Sequence, residues 1–119
     1  MLADPGRIDT SVLSELRRGE VRLLLSAASS WEIAIKWSIG RLSLPEPPAT
    51  YVPSRMQRSG VHGLAVAHSH ALRVADLPRH HGDPFDRVLV AQGQLEDATI
   101  VTVDRAFDAY AVPVMRAAA

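Results

Sequence analysis

Three carboxylates lie where a strand ends or a helix begins. Glu32 lies in S-S-W-E-I-A-I-K, Asp86 in H-G-D-P-F-D-R-V-L-V-A-Q, and Asp104 at the end of T-I-V-T-V-D. In an open parallel sheet, the carboxyl ends of strands and the helix starts that follow them converge on one edge, where ligands bind. Carboxylates gathered there repel one another unless a hard cation such as Mg²⁺ or Mn²⁺ neutralises them. The pattern therefore predicts a metal site formed by these acids.

Each acid also has a purely structural interpretation. Glu32 fits an S-x-x-E capping box that begins at Ser29, and Asp86 lies three residues after Asp83, a typical helix cap. Asp104 follows a strand, where aspartate commonly starts a turn. Three independent caps need not lie on the same edge of a sheet, whereas strand-end topology places all three there. Their joint occurrence favours the shared site.

Composition indicates a single globular domain over residues 1–119. The hydrophobic fraction is 47% and the charged fraction 22%, which suits a packed core. The 13 basic and 13 acidic side chains cancel, so any contact with nucleic acid must be local. The chain has no cysteine, and no apolar run approaches membrane-spanning length. We therefore expect a soluble, cytoplasmic protein without disulfides or a thiolate zinc site.

Apolar runs of strand length alternate with helical periodicity, which predicts an α/β fold around a parallel sheet. In the first full helix we expect Trp31 to pack in the core, with Ile35 on the same face, whereas Trp37 is a candidate to cover a partner surface. The expected strands are Val21–Ser26, Gly60–Ala67, Thr99–Val103 and Val112–Met115. The expected helices run from Ser29 to Gly40, from Val52 to Arg58, from His68 to Ala75, and onward from Pro84.

Three segments resemble the PIN domain, specifically the VapC-type ribonuclease toxins of toxin-antitoxin pairs. They are S-A-A-S-S-W-E-I-A-I-K at 26–36, L-P-x-H-H-x-D-P-F-D-R-x-L-x-A-Q at 77–92 and V-T-x-D at 101–104. The motifs occur in the family's order, and the resemblance extends from about Leu2 to Arg116. It implies a PIN-like three-layer sandwich in which helices flank a central parallel sheet.

The resemblance also implies an activity and partners. It implies a Mg²⁺- or Mn²⁺-dependent endoribonuclease that hydrolyses RNA phosphodiester bonds, forms a homodimer and is neutralised by a cognate antitoxin. Glu32, Asp86 and Asp104 would be the second, third and fourth acids of the family's quartet, and all three are expected catalytic and metal-binding residues. Asp86 would hold the ion directly.

Four further residues of these motifs are candidates for RNA contact. Arg87 and Lys36 could touch phosphate, although a structural role is favoured for both, and Lys36 lies four residues after Glu32, where it would form a helical ion pair. His80 and His81 fit the family's H-H-x-D-P-F-D-R segment and could line the entrance to the site.

One family element is missing or degenerate. VapC-type chains normally open with a strand such as L-L-D-T-H, whose aspartate is the first of the four acids, so this chain is expected to be truncated relative to the family. The family's strand order places that strand at the centre of the sheet, where its loss would leave backbone groups unpaired at about 1 to 3 kcal/mol each. Three explanations remain open: a gene product that extends upstream, a substitute strand over Arg7–Leu13 that supplies Asp9, or decay to an inactive relic or antitoxin-binding module.

Overall fold

The computed structural model describes residues 2–3, 22–80, 82–102, 107 and 109–116. Within these ranges the strands are β1 (Leu2–Ala3), β2 (Leu23–Ser26), β3 (Val61–Leu64), β4 (Ile100–Thr102) and β5 (Val114–Arg116). The helices are α1 (Ala27–Ser38), α2 (Pro48–Ser59), α3 (His68–Arg73), which a 3₁₀ turn (Val74–Asp76) follows, and α4 (Pro84–Leu95).

The described strands form one parallel sheet in the order β3-β2-β1-β4-β5. The chain winds outward from β1 to β2 and β3, then returns to the other side of β1 for β4 and β5. Because parallel crossovers are right-handed, this reversal places helices on both faces of the sheet. The predicted α/β fold, a parallel sheet flanked by helices, is confirmed. Such a reversal also creates a crevice at the carboxyl ends of the strands on either side of it.

The central strand is present, and the structure describes Leu2 and Ala3 of it. Leu2 pairs with Leu24 of β2 on one side and with Ile100 of β4 on the other, and Ala3 pairs with Val101. This is the position between two strands that sequence analysis assigned to the family's first strand. The sheet therefore has no central gap there. The proposed substitute strand over Arg7–Leu13 lies outside the described residues, as does Asp9.

Helix α4 packs against the sheet beside β4. Its Leu89, Val90 and Ala91 are buried together with Ile100 of β4 and Phe107. Gly93 lies on the same buried stretch of the helix, and a Cβ atom there would stand 2.7 Å from Val112 Cγ2. This tight packing fixes the depth of α4 relative to the sheet and hence the position of its first turn.

The edges of the sheet carry the more exposed elements. Helix α2 contains Pro53 and ends at Gly60, which adopts a left-handed conformation with φ 66°. Helix α1 is followed by a second left-handed glycine, Gly40 with φ 75°, close to the predicted helix end. Among the helices of the described ranges, none combines the length and apolar character needed to cross a membrane.

Candidate functional site at the carboxyl edge of the sheet

The first turn of α4 holds Asp86 in a capped, largely buried position. Asp83 is the N-cap, and its Oδ1 accepts hydrogen bonds from the N–H groups of Phe85 at 2.9 Å and Asp86 at 3.2 Å. Pro84 occupies the first helical position, where its missing N–H costs nothing. Asp86 is only 7% exposed, and the positive end of the helix dipole favours its carboxylate. The predicted placement of Asp86 in the first turn is confirmed.

Helix α1 begins two residues earlier than expected. Ser26, the last residue of β2, is the N-cap, and its Oγ accepts the N–H of Ala28 at 3.1 Å. The predicted capping box between Ser29 and Glu32 is therefore wrong, because Glu32 lies in the second turn of the helix. The Glu32 carboxylate instead accepts a salt bridge from Lys36 Nζ at 2.9 Å. This contact confirms the helical ion pair that the four-residue spacing suggested.

An aromatic contact joins the amino-terminal parts of these two helices. The rings of Trp31 and Phe85 meet edge to face, with centroids 5.3 Å apart and planes at 77°. Trp31 immediately precedes Glu32, and Phe85 immediately precedes Asp86. The contact therefore holds the helix turns that carry the two acids side by side. Glu32 and Asp86 are the two predicted site residues that the described structure brings into neighbouring turns.

Two further acids follow β4 and β1 in the sequence. Asp104 follows Thr102, the last residue of β4, by two positions and lies outside the described residues. In the sequence, Asp4 follows Ala3, the last residue of β1, directly. Sequence analysis passed over Asp4, although L-A-D is a short apolar pair followed by an acid. Asp4 also lies outside the described residues.

A buried hydroxyl one turn before Glu32 lacks a partner. Ser29 is 1% exposed, and its Oγ makes no hydrogen bond in the described structure. Residues three apart lie on the same side of a helix, so Ser29 and Glu32 share one face of α1. A buried, unsatisfied polar atom costs about 1 to 3 kcal/mol, and a bound ion is one of the physical explanations for such an atom.

The structure assigns Arg87 to scaffolding. Its guanidinium donates to the carbonyl oxygens of Pro78 at 2.8 Å, Val74 at 3.1 Å and Leu77 at 3.3 Å, and to Tyr110 Oη at 3.2 Å. These bonds tie the first turn of α4 to the segment that follows α3. With its donors committed to protein acceptors, Arg87 is a poor candidate for phosphate binding, and the structural interpretation of this residue is preferred.

Of the four described histidines, three are exposed and one, His70, is buried. The exposed His80 packs edge to face on the Tyr110 ring at 5.0 Å, while its neighbour His81 lies outside the described residues. His70 is 3% exposed. Its Nδ1 accepts the N–H of Ala67 at 3.0 Å, so Nε2 carries the proton that binds Glu96 Oε1 at 2.8 Å. These contacts join α3 to α4 and are structural.

The oxygen ligands of the described residues suit a hard cation, but they do not form a complete metal site. The carboxylates of Glu32 and Asp86 and the hydroxyl of Ser29 are the oxygen ligands that Mg²⁺ and Mn²⁺ prefer. Among the described residues, no group of three or more acidic or histidine side chains could hold a metal ion. A complete site would need the acids that follow β1 and β4.

A protein-family model described as the PIN domain matches residues 6–113. The chain belongs to the PIN-domain family. Over 70 residues it is also 44% identical to Ribonuclease VapC16 of Mycobacterium tuberculosis, and the matched region is 59% of this chain and 48% of that protein. The chain thus spans about half the length of this curated relative. Both findings confirm the resemblance that the three motifs carried.

Proposed function

We propose that this PIN-domain protein is a Mg²⁺-dependent endoribonuclease of VapC type. The observation that carries the proposal is the edge-to-face contact of Trp31 and Phe85, which sets the turns bearing Glu32 and Asp86 beside each other. Strands β1 and β4 are neighbours in the sheet, and the crevice expected at their carboxyl ends lies on the same edge of the sheet as these turns. Similarity to a protein named as a ribonuclease supports RNA as the substrate class.

In this proposal Asp86 would hold the ion directly, Glu32 would share or orient it, and Asp104 would supply a further supporting carboxylate. Asp4, which follows the central strand in the sequence, takes the part of the first acid, in place of Asp9. A divalent ion in such a site supplies Lewis acidity for in-line hydrolysis of a phosphodiester. The chain contributes the fixed carboxylates: the Asp83 cap and the helix dipole keep Asp86 oriented, and Lys36 holds Glu32 until a stronger cation competes.

The proposed partners are an RNA substrate, a cognate antitoxin that covers the acidic site, and a second copy of the chain. The proposed location is the cytoplasm, where both RNA and Mg²⁺ are present. The exposed ring of Trp37, which is 40% accessible, is a candidate for one of the protein interfaces.

Asp86→Asn tests the proposal directly. The purified chain should cut a structured RNA when Mn²⁺ or Mg²⁺ is added and should stop in EDTA. Asp86→Asn keeps the size of the side chain but removes its charge, so we expect cleavage to fall by about 100-fold or more. Asp76→Asn, which changes an exposed aspartate in the 3₁₀ turn, is the matched control and should cut normally.

A second candidate function is a catalytically inactive PIN module that retains dimerisation or antitoxin binding. The exposed side chains of Trp37 and Ile39 near the end of α1 favour it, since apolar residues left in solvent suit an interface with another protein. No cleavage by the folded wild-type chain at any concentration of Mn²⁺ or Mg²⁺, together with retained self-association, would replace the first proposal with this one.

A further inference from the structure

Trp31 is a large aromatic side chain that the fold leaves in solvent. Its exposed fraction is 63%, more than that of Trp37 on the same helix. Sequence analysis placed Trp31 in the core, and that prediction is wrong. The buried positions at this end of α1 are instead the small residues Ala28 and Ser29. An exposed indole next to a candidate catalytic acid needs an explanation beyond packing.

The orientation of the Trp31 ring is set by the neighbouring helix. Phe85 is half-buried at the second position of α4, and its N–H is bonded to Asp83, so its own placement is firm. The two ring planes meet at 77°, and 63% of Trp31 remains exposed despite this contact, so indole surface is left open to solvent. A ring held in this way loses little further freedom when a flat ligand stacks on it.

The charge distribution argues for a contact of this kind. Formal charges on the chain sum to zero, so no overall field attracts a polyanion. Among the described cations near the two acids in sequence, Arg87 bonds to protein acceptors, and Lys36 pairs with Glu32 when no stronger cation competes. A stacking contact would add affinity for RNA beside the acids that does not depend on these two cations.

We propose that Trp31 is a stacking platform for an unpaired nucleobase next to the scissile phosphate. This inference rests on the proposed ribonuclease function and names how the substrate is held. Proteins recognise single-stranded RNA by stacking unpaired bases on aromatic side chains, and the contact tolerates any base because each has a flat face. Trp31 is next to Glu32 in the sequence, and its ring contacts Phe85, which is next to Asp86. A base stacked on Trp31 therefore lies beside the helix turns that carry the two acids.

A protein partner is the competing occupant of this surface. Trp31 and Ile35 of α1 and its C-cap Ile39 recur every four residues, and their exposed fractions are 63%, 36% and 60%. A helix of another chain could cover such a stripe. A nucleobase is favoured over a protein partner because Trp31, the most exposed of the three, is also the one nearest the acids. Ile35, in the middle of the stripe, is the least exposed.

The test uses the two tryptophans as matched probes. Trp37→Phe leaves Trp31 as the sole indole, and Trp31→Phe leaves Trp37. Each variant is titrated in EDTA with a short single-stranded oligoribonucleotide while its intrinsic fluorescence is recorded. We expect saturable quenching when Trp31 is the remaining indole and little when Trp37 is. Absence of quenching in the variant that keeps Trp31 would overturn the proposal.

Alanine variants measure the strength of the contact. Trp31→Ala should weaken binding of the same labelled RNA by about 5- to 150-fold in fluorescence anisotropy, the range for loss of one stacked base. Trp37→Ala should change binding less than twofold. Affinity should respond weakly to salt, because stacking releases few counterions. Equal binding by Trp31→Ala and wild type would refute the platform, and a change of oligomeric state without a change in RNA affinity would assign the surface to a protein partner instead.

The outcome is separable from that of the ribonuclease proposal. If Trp31→Ala loses RNA affinity but the wild-type chain cuts nothing with Mn²⁺, the platform stands and the nuclease assignment fails. If the wild type cuts RNA and Trp31→Ala binds and cuts it equally well, only the platform fails. Far-UV circular dichroism checks that both alanine variants are folded.

Discussion

Gly93 offers a strict test of how closely α4 is seated on the sheet. The residue is buried in the middle of the helix, where alanine would normally be preferred. A Cβ atom at this position would stand 2.7 Å from Val112 Cγ2, 3.1 Å from the carbonyl oxygen of Ala98 and 3.4 Å from Ile100 Cγ1. Gly93→Ala should therefore gain stability from the higher helix propensity of alanine and lose stability through steric overlap with these atoms.

The two effects differ in size, and overlap should win. Replacing glycine by alanine in a helix interior gains about 1 kcal/mol. Overpacking a core costs about 1 to 3 kcal/mol, and here one of the opposing atoms is backbone and another belongs to a β-branched side chain with few alternative rotamers. Taking the upper part of that range, we expect Gly93→Ala to lower the free energy of unfolding by about 1 to 2 kcal/mol. The melting temperature should then fall by about 4 to 8 °C.

The assay is thermal and urea unfolding monitored by circular dichroism, with two controls. Gly63→Ala in β3 adds a Cβ that would lie 3.7 Å from Met56 Cε, an ordinary contact, and should be neutral or stabilising. Val112→Ala removes the closest opposing methyl group. In that background Gly93→Ala should cost at least about 1 kcal/mol less than in the wild type, because neighbouring substitutions couple. A stabilising Gly93→Ala, or an equal cost in both backgrounds, would refute the packing argument.

Two further substitutions test the scaffold around Asp86. Asp83→Ala removes the acceptor for two N–H groups of α4 and should lower the free energy of unfolding, measured in urea titrations, by about 0.5 to 2 kcal/mol. Asp83→Asn keeps a capping oxygen and should lower it far less. Equal losses for the two variants would argue against capping. Arg87→Lys should cost at least about 2 kcal/mol, since one ammonium cannot span the carbonyls of 74, 77 and 78 and the Tyr110 hydroxyl. Arg73→Lys, which affects one exposed hydrogen bond to Gln94, is the control, and a similarly small change for Arg87→Lys would contradict the role described here.

The start of α4 was predictable because all of its signals are local. Asp83, followed by proline, specifies a cap and a first helical residue within a few positions, and tertiary contacts are not needed to recognise it. Asp86 then falls in the first turn by counting along the chain. The parallel sheet followed equally well from the alternation of strands and helices.

The start and the orientation of α1 were harder because sequence patterns offered two solutions. Ser26 and Ser29 are both good caps, and the acid three residues after Ser29 favoured the wrong one. The large residues Trp31 and Ile35 suggested the core face, but the helix buries Ala28 and Ser29 near its start. Small residues allow close approach of a helix to a sheet, and hydrophobicity alone gives them little weight.

The central strand escaped sequence analysis for a different reason. In the sequence, Leu2 and Ala3 are followed at once by D-P-G, so no apolar run marks a strand, and only their pairing with β2 and β4 identifies them as one. The same limit hid Asp4, since an acid can be recognised as a strand-end residue only after the strand itself is known.

The long sequence separation between paired residues of β1 and β4 bears on the order in which the protein folds. Leu2 pairs with Ile100, 98 residues further along the chain. Closing so long a loop is slow and entropically costly, so this pairing should form after the contacts within single helices. The edge of the sheet at which β1 and β4 end is therefore expected to assemble late in folding.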